Sequence, residues 1–336
     1  MSSAATRPRA VQMLVLCTAL WGLSFPTTKA LAITQQALLP DVGTWFVASL
    51  CTVYRFAAAA LILLMFSLRT LGRITREELQ QGIGLGLFGG GGILLQVDGL
   101  AYTSASTSAF LTQCYCVIIP IWVAVRQRRW PSATVLLGSA LVVVGVAALA
   151  NLDWHEFHLG RGELETVIAS VLFTGQILWL ERPRFAANNV KHFSLLMFVT
   201  MSLLCLPVAL LTTRRPSDWL HAYGSMPELA FLGILVLLCT CGGYLMMNHW
   251  QRHVTATEAG LIYCIEPVFA SVFAWFLPGW FSSWAAVEYA NENPTLNLLI
   301  GGGLITAANI IVQVPVRSSA SRPEPVSSLG RDSVEP

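Results

Sequence analysis

The residues best placed to do chemistry in this sequence are two charges set inside long apolar runs. Arg55 stands halfway along the run 43–67, and Glu266 halfway along 255–277, immediately before the helix-breaking Pro267. A charge at the bilayer centre costs about 2.5 to 3.5 kcal/mol on insertion scales, so such groups face a cavity or a partner. Two roles fit the pair. In one, a cation and an anion contact a substrate or exchange a proton. In the other, they form a buried structural contact that fixes helix packing. Lys29, about 10 Å outward of the middle of its own run, either joins the site or snorkels to the surface. Trp21, Gln96, Tyr115 and Tyr263 are the leading neutral candidates, and Gln113, Gln176, Tyr244 and Asn248 also lie in apolar runs. Small-molecule sites combine apolar walls with a few polar groups of this kind, although membrane aromatics serve equally as packing and interfacial anchors.

Other constellations carry less. Gly84-x-Gly86-x-x-Gly89 has the spacing of a dinucleotide-binding fingerprint, which needs a strand before it, a helix after it and an acidic residue about 20 positions on. Here the charged connector RTLGRITREELQQ precedes it and the chain stays apolar through Leu95, so a phosphate cradle does not follow. Gly82, Gly86 and Gly90 instead recur every fourth residue, on one face where a neighbouring helix can approach closely, with Gly84 on another face. DWHEFH, at 153–158, lacks the two-histidine spacing of a helical zinc site and reads as a short external loop. His249 and His253, beside Arg252, suit the carbonyls of a helix end. No nucleophile elbow, P-loop or paired catalytic carboxylates stands in the chain. No catalytic residue, cofactor or metal is therefore expected, and an ATP-driven pump would need a partner to supply its motor.

Composition identifies the elements that must hold these residues. The 336 residues are 55% hydrophobic and 11% charged, with a mean hydropathy of +0.63, whereas soluble domains carry about 25% charged residues. Crossing a membrane takes about 20 mostly apolar residues in a helix, because no water is present to satisfy the backbone. Ten runs qualify: 11–34, 43–67, 81–100, 104–125, 132–151, 163–181, 192–213, 227–248, 255–277 and 295–316. The fold class is thus an all-α polytopic membrane protein. With the N-terminus inside, Arg69, Arg73, Arg76, Arg126, Arg128, Arg129, Arg182, Arg184, Lys191, Arg252 and Arg317 fall on the cytoplasmic side, against Arg161, Arg214 and Arg215 outside. Both termini are expected in the cytoplasm, and the net charge of +2 reports orientation rather than a nucleic-acid partner. The run 11–34 stays as the first helix, since it has no cleavage site followed by a polar chain. It follows a short cytoplasmic segment, 1–10. The eight cysteines all fall inside runs and read as packing groups rather than disulfides. The tail 317–336, rich in Ser, Pro and charge, is expected to be disordered.

The two halves resemble each other. LLGSALVVVGVAAL at 136–149 aligns without gaps to LIGGGLITAANIIV at 299–312, and TSASTSAFLTQCYCVIIP, ending at Pro120, has a looser counterpart in VTATEAGLIYCIEP, ending at Pro267. Five runs per half is an odd number, so repeats at 11–151 and 162–316 are expected to sit with opposite topology, the architecture of many secondary transporters. ALWGLSFPTTKALA at 19–32, AYTSASTSAFL, VTATEAGL, the two prolines and the Gly138 and Gly301 segments resemble EamA-type members of the drug/metabolite transporter superfamily. That resemblance, over about 11–316, implies a ten-helix carrier of small metabolites working by alternating access, with both termini cytoplasmic. PGWFSSWAAVEYANENP, at 278–294, departs from the compact pattern as a long outer connection. The expected function is a secondary transporter for a small polar or amphipathic metabolite, with export as the expected direction. Its partners would be that substrate, the lipid bilayer, and a coupling proton or exchanged metabolite. A monomer in the plasma (inner) membrane is expected. A membrane-embedded lipid-modifying enzyme and a non-transporting receptor are the alternatives.

Overall fold

The computed structural model describes residues 3–126, 128–149, 160–254, 259 and 262–313; DWHEFH at 153–158 and the tail 317–336 lie outside the described residues. Regular structure among the described residues is helical throughout. Helices α1 (Ser3–Leu38), α2 (Thr44–Ser67) and α3 (Arg76–Gly99) lead into a broken pair, α4 (Ala105–Thr112) and α5 (Tyr115–Arg126). Next come α6 (Ala133–Leu149), α7 (Arg161–Leu180), α8 (Val190–Thr212) and the short α9 (Asp218–His221). Then α10 (Met226–Ile234) runs through a π-helical stretch, Leu235–Gly242, into α11 (Gly243–Trp250), and the last two are α12 (Glu266–Ala285) and α13 (Leu296–Gln313).

Each apolar run thus holds a helix, but not all are equally long or equally apolar. Seven stretches have the length and composition to cross a membrane: Arg7–Leu38, Thr44–Arg73, Ala105–Arg126, Arg161–Leu180, Val190–Thr212, Met226–His253 and Glu266–Ala285. Two more, Ala133–Ala148 and Leu296–Ile311, are apolar and shorter. In α3 the glycines, Gln96 and Asp98 dilute the apolar character. Met65, Phe66, Leu211 and Phe276 point outward while Thr52, Arg55, Gln113 and Glu266 are buried. A surface of that kind is stable against hydrocarbon, where apolar side chains lose nothing and polar ones must be sheltered. The expected outer connection 278–294 is shorter than its sequence suggests, because α12 continues through Pro278 to Ala285. The remainder is built into the fold: the Glu292 carboxylate accepts the N–H groups of Ala105 and Ser106, at 2.7 and 3.2 Å, at the start of α4.

Helix α3 is packed between α7 and α8, α2 lies along α8, α1 along α12, and α6 along α13. Glycine sets how closely these axes approach. A Cβ at Gly86 would lie 2.9 Å from the Met197 carbonyl oxygen, and one at Gly82 would lie 2.8 Å from that of Phe193, so this face meets the backbone of α8. The other face, which holds Gly84, is packed too: a Cβ there would enter the Trp179 indole, while Gly92 faces the Phe173 ring, both on α7. The matching segments of the two halves also meet, since a Cβ at Gly145 would lie 2.9 Å from the Gly301 carbonyl oxygen.

The charged end of α3 is tied to the start of α8. Thr75 and Glu78 form a reciprocal cap, with Thr75 N–H donating to Glu78 Oε2 at 2.9 Å and Glu78 N–H to Thr75 Oγ1 at 3.2 Å. Glu78 Oε1 accepts from the Asn189 N–H at 2.9 Å, and Oε2 lies 2.9 Å from His192 Nδ1. Burial pushes this carboxyl upward, but the N–H donors of Thr75 and Asn189, with His192, outweigh it and hold Glu78 below the usual carboxylate range.

Two measurements follow from this packing. Gly86→Leu, opposed by backbone, should lose about 1 to 3 kcal/mol or more of stability, and Gly84→Leu, which would enter an indole held by the Gln80 carbonyl and by ring contacts, should lose a comparable amount. Gly91→Ala, which meets only the Leu172 Cδ1 at 3.2 Å, should be tolerated. Melting in detergent ranks the three, and equal tolerance of Gly86→Leu and Gly91→Ala would show that the α3–α8 contact is loose. For Glu78 the depressed folded value means stabilisation present above the unfolded carboxyl value and lost as pH falls through the folded one. The melting temperature should therefore drop below about pH 4 in the wild type, and Glu78→Gln should remove that component of the drop.

Candidate functional site

Helices are interrupted where the polar groups gather. After α4 the chain turns at Gln113 and Cys114, whose N–H groups reach the carbonyls of Phe110 and Leu111 at 3.1 Å each, and α5 resumes at Tyr115. The same kind of turn precedes α12: the Ile265 N–H reaches the Ile262 carbonyl at 3.1 Å, and the helix begins at Glu266. Pro267 fits there because the first turn of a helix needs no N–H donor. The two breaks touch, with Gln113 Nε2 donating to Glu266 Oε2 at 3.3 Å. Arg55 on α2 faces a third irregularity. Its Nε donates at 2.6 Å to Oγ1 of Thr240, which lies in the π-helical stretch between α10 and α11, and its guanidinium carbon stands 5.4 Å from the Phe56 ring centre. A π-helical turn widens the helix and re-aims its side chains, which is why such turns collect at functional sites.

Between these breaks lies a cavity whose lining combines apolar walls with a few polar groups, as small-molecule sites do. Trp21, Arg55, Gln96, Tyr115, Tyr263 and Glu266 line it together, as do Gln176 and Tyr244. Lys29 does not: its ammonium donates to the Thr103 carbonyl at 2.5 Å, in the connection between α3 and α4. Gln113 stands behind Glu266, and Asn248 faces away to donate to Ser194 Oγ at 2.9 Å. Asp98 is buried and ion-paired with Arg161, which also donates to Glu165 at 2.8 Å and to the Tyr102 hydroxyl at 2.6 Å. Sequence reasoning missed Ser24, Phe25, Ile93, Thr112, Phe173, Ile177 and Met247. Their residue types are those of ordinary helix packing. Spacing was the usable signal: Ser24 and Phe25 stand three and four positions after Trp21, Ile93 three before Gln96, Phe173 three before Gln176 and Met247 three after Tyr244, and such spacings share a helix face.

Arg55 and Glu266 do not pair with each other; each is met by a neutral group. The direct ion pair that would serve packing alone is not formed. Trp21 sits among the aromatics, 5.5 Å from Tyr244 and 5.8 Å from Tyr263 between ring centres. Its indole N–H is buried without a partner, a condition that costs about 1 to 3 kcal/mol until something accepts from it. Gln96 is fixed by donating to Thr112 Oγ1 at 2.8 Å. No group of His, Cys, Asp and Glu among the described residues is arranged to hold a metal, and His249 and His253 pack around Trp250. None of the eight cysteines is joined in a disulfide.

The chain was compared with known proteins. It is 24% identical over 266 residues to an uncharacterized transporter of Archaeoglobus fulgidus, a match covering 78% of this chain and 75% of that protein. A solved crystal structure of a protein superposes with a TM-score of 0.52 at 16% identity, over 91% of this chain and 97% of its own, which is a likeness of fold. The pattern described as the EamA-like transporter family matches twice, over 8–151 and again over 166–313. Membership of that family accounts for the duplicated halves, the apolar helices and the polar cavity alike: this chain is a polytopic membrane transporter of the EamA-like transporter family.

Proposed function

We propose that the protein is a secondary carrier that exports a small polar or amphipathic metabolite by alternating access. The observation that carries this reading is the placement of Arg55, from the first half, and Glu266, from the second, in one cavity without a bond between them. Opposite charges that do not neutralise one another offer complementary contacts to two ends of one substrate. An anionic group would meet Arg55, an amine would meet Glu266, and Trp21, Tyr244 and Tyr263 would hold the apolar body between them. Glu266 can carry a proton in place of the amine, so exchange at that carboxyl couples flux to a proton; exchange for a second metabolite is the other drive available. Lys29 would stand outside the substrate contacts.

The same reading takes the chain as ten crossings in two inverted five-helix repeats, 11–151 and 162–316, with both termini cytoplasmic in the plasma (inner) membrane and the monomer as the working unit. The twofold family match supports the duplication. The helix breaks at Gln113 and before Glu266 fall one in each of the two segments that resemble each other, which suits carriers whose site lies at the repeat interface between discontinuous helices.

Substrate counterflow in reconstituted vesicles, normalised to folded protein, tests the site. Hydrogen bonds to charged groups contribute about 1.5 to 3 kcal/mol, so Arg55→Gln and Glu266→Gln should each lower transport roughly tenfold to a hundredfold while leaving the protein folded. Glu266→Gln should also flatten any dependence on external pH. If instead both single variants fold poorly and the double variant regains stability and normal transport, the two charges serve packing and the site lies elsewhere. For orientation, reporter fusions after residues 75, 129, 187 and 252 should read inside, and those near 157, 220 and 288 outside. A reversal confined to the second half would refute five crossings before it.

A further inference from the structure

A second chamber lies next to the central cavity along the same helices. On α7, Ile177 lines the central cavity and Leu180, nearly one turn on, lines a second cavity, a cleft open to solvent where Glu181, Arg182 and Arg252 are exposed. On α11 and just past its end, Met247 lines the first, Asn248 and Gln251 the second. One row of hydrogen bonds runs through the shared wall. Tyr263, in the central cavity, donates its hydroxyl to Gln251 Oε1 at 2.8 Å, and Gln251 Nε2 donates to Glu181 Oε1 at 3.1 Å. Glu181 and Gln251 both face the second chamber.

The lining of this chamber is polar in both signs. Arg182 and Arg252 supply cations, Glu181 an anion, and Gln81 and Asn248 amides. Asn248 is buried and its side-chain oxygen has no partner. A cleft that sets both charge types and amides among Leu180, Phe185 and Val254 suits the polar or amphipathic class of ligand argued for the central cavity.

We propose that the second chamber belongs to the transport path and that Gln251 closes it off from the central cavity, so that a substrate passes only when the bonds from Gln251 to Tyr263 and Glu181 give way. This rests on the carrier reading given above. A side-chain amide offers an acceptor on one side and a donor on the other, and Gln251 uses them on opposite walls, the end of α7 and the segment ahead of α12. Leucine at this position would occupy similar space and make neither bond.

A cysteine at Ser24, in the central cavity, reports access. Inside-out vesicles present the end bearing residues 181–186 and 251–254 to the bath, where a membrane-impermeant methanethiosulfonate reacts with the Ser24→Cys protein. Labelling of the chain without that change is subtracted to remove its eight native cysteines. Gln251→Leu should speed the reaction more than about tenfold, since it loses one neutral hydrogen bond and one to the Glu181 carboxylate, and Tyr263→Phe, which loses only the neutral one, about threefold. Right-side-out vesicles should show no acceleration. Wild-type rates in both folded variants, or acceleration only from the opposite face, would overturn the proposal. Should Gln251→Leu not fold, Tyr263→Phe decides by the same criterion, since it removes a single hydroxyl. The readout needs no substrate, so accelerated labelling of a chain that transports nothing would sink the carrier reading and leave the closure at Gln251 standing.

Discussion

The fold depends on one constraint: inside a bilayer no water is available to a backbone amide or to a charged side chain. Regular helix satisfies the backbone by itself, which is why the described residues are helical wherever the sequence is apolar for long enough. Departures from regularity are possible only where other protein groups supply the missing partners. Three such departures, at Gln113, before Glu266 and over Leu235–Gly242, converge on the central cavity. Each brings a polar side chain with it, and the partners are one another's: Gln113 serves Glu266 and Thr240 serves Arg55.

Neutral partners matter to function. A charge held by an opposite charge in a low-dielectric site is costly to separate and poorly available to a ligand. A charge held by an amide or a hydroxyl keeps its field and much of its bonding capacity. Arg55 and Glu266 are of the second kind, whereas Asp98 and Arg161, toward the other end of α3, are of the first. The contrast separates a cavity able to receive a substrate from an ion pair that ties α3 to α7.

Close approach of helices supplies the rigidity around that cavity. Glycines on two faces of α3 bring it against α7 and α8 at once, and the polar ends of the helix are closed by the Glu78 cluster and by the Asp98–Arg161 pair. Glycines serve the cavity as well. A Cβ at Gly22 would lie 2.8 Å from the Ala270 N, so that position lets α1 approach the backbone of α12, and one at Gly243 would lie 2.5 Å from Trp21 Nε1, so that position is kept clear for the aromatic wall.

The sequence by itself determined what depends on counting and periodicity: helices in place of strands, apolar runs long enough to cross, a face of glycines, the duplication, and the residues too costly to bury without a reason. That is why Arg55 and Glu266 could be singled out, with Trp21, Gln96, Tyr115 and Tyr263 beside them. Lys29 obeyed the same cost argument and yet found a local partner, the Thr103 carbonyl, that no spacing rule foretells. Gly84 lay on a different face from Gly86 as expected, but whether that face meets a neighbour is a property of α7 and its Trp179. Only the tertiary structure decided that Arg55 and Glu266 share a cavity unpaired, that the connection between α12 and α13 caps α4, and that Gln251 bonds both to Tyr263 of the central cavity and to Glu181. Those outcomes are set by contacts between residues far apart in the chain, whose geometry depends on where each helix breaks and how closely its neighbour can approach.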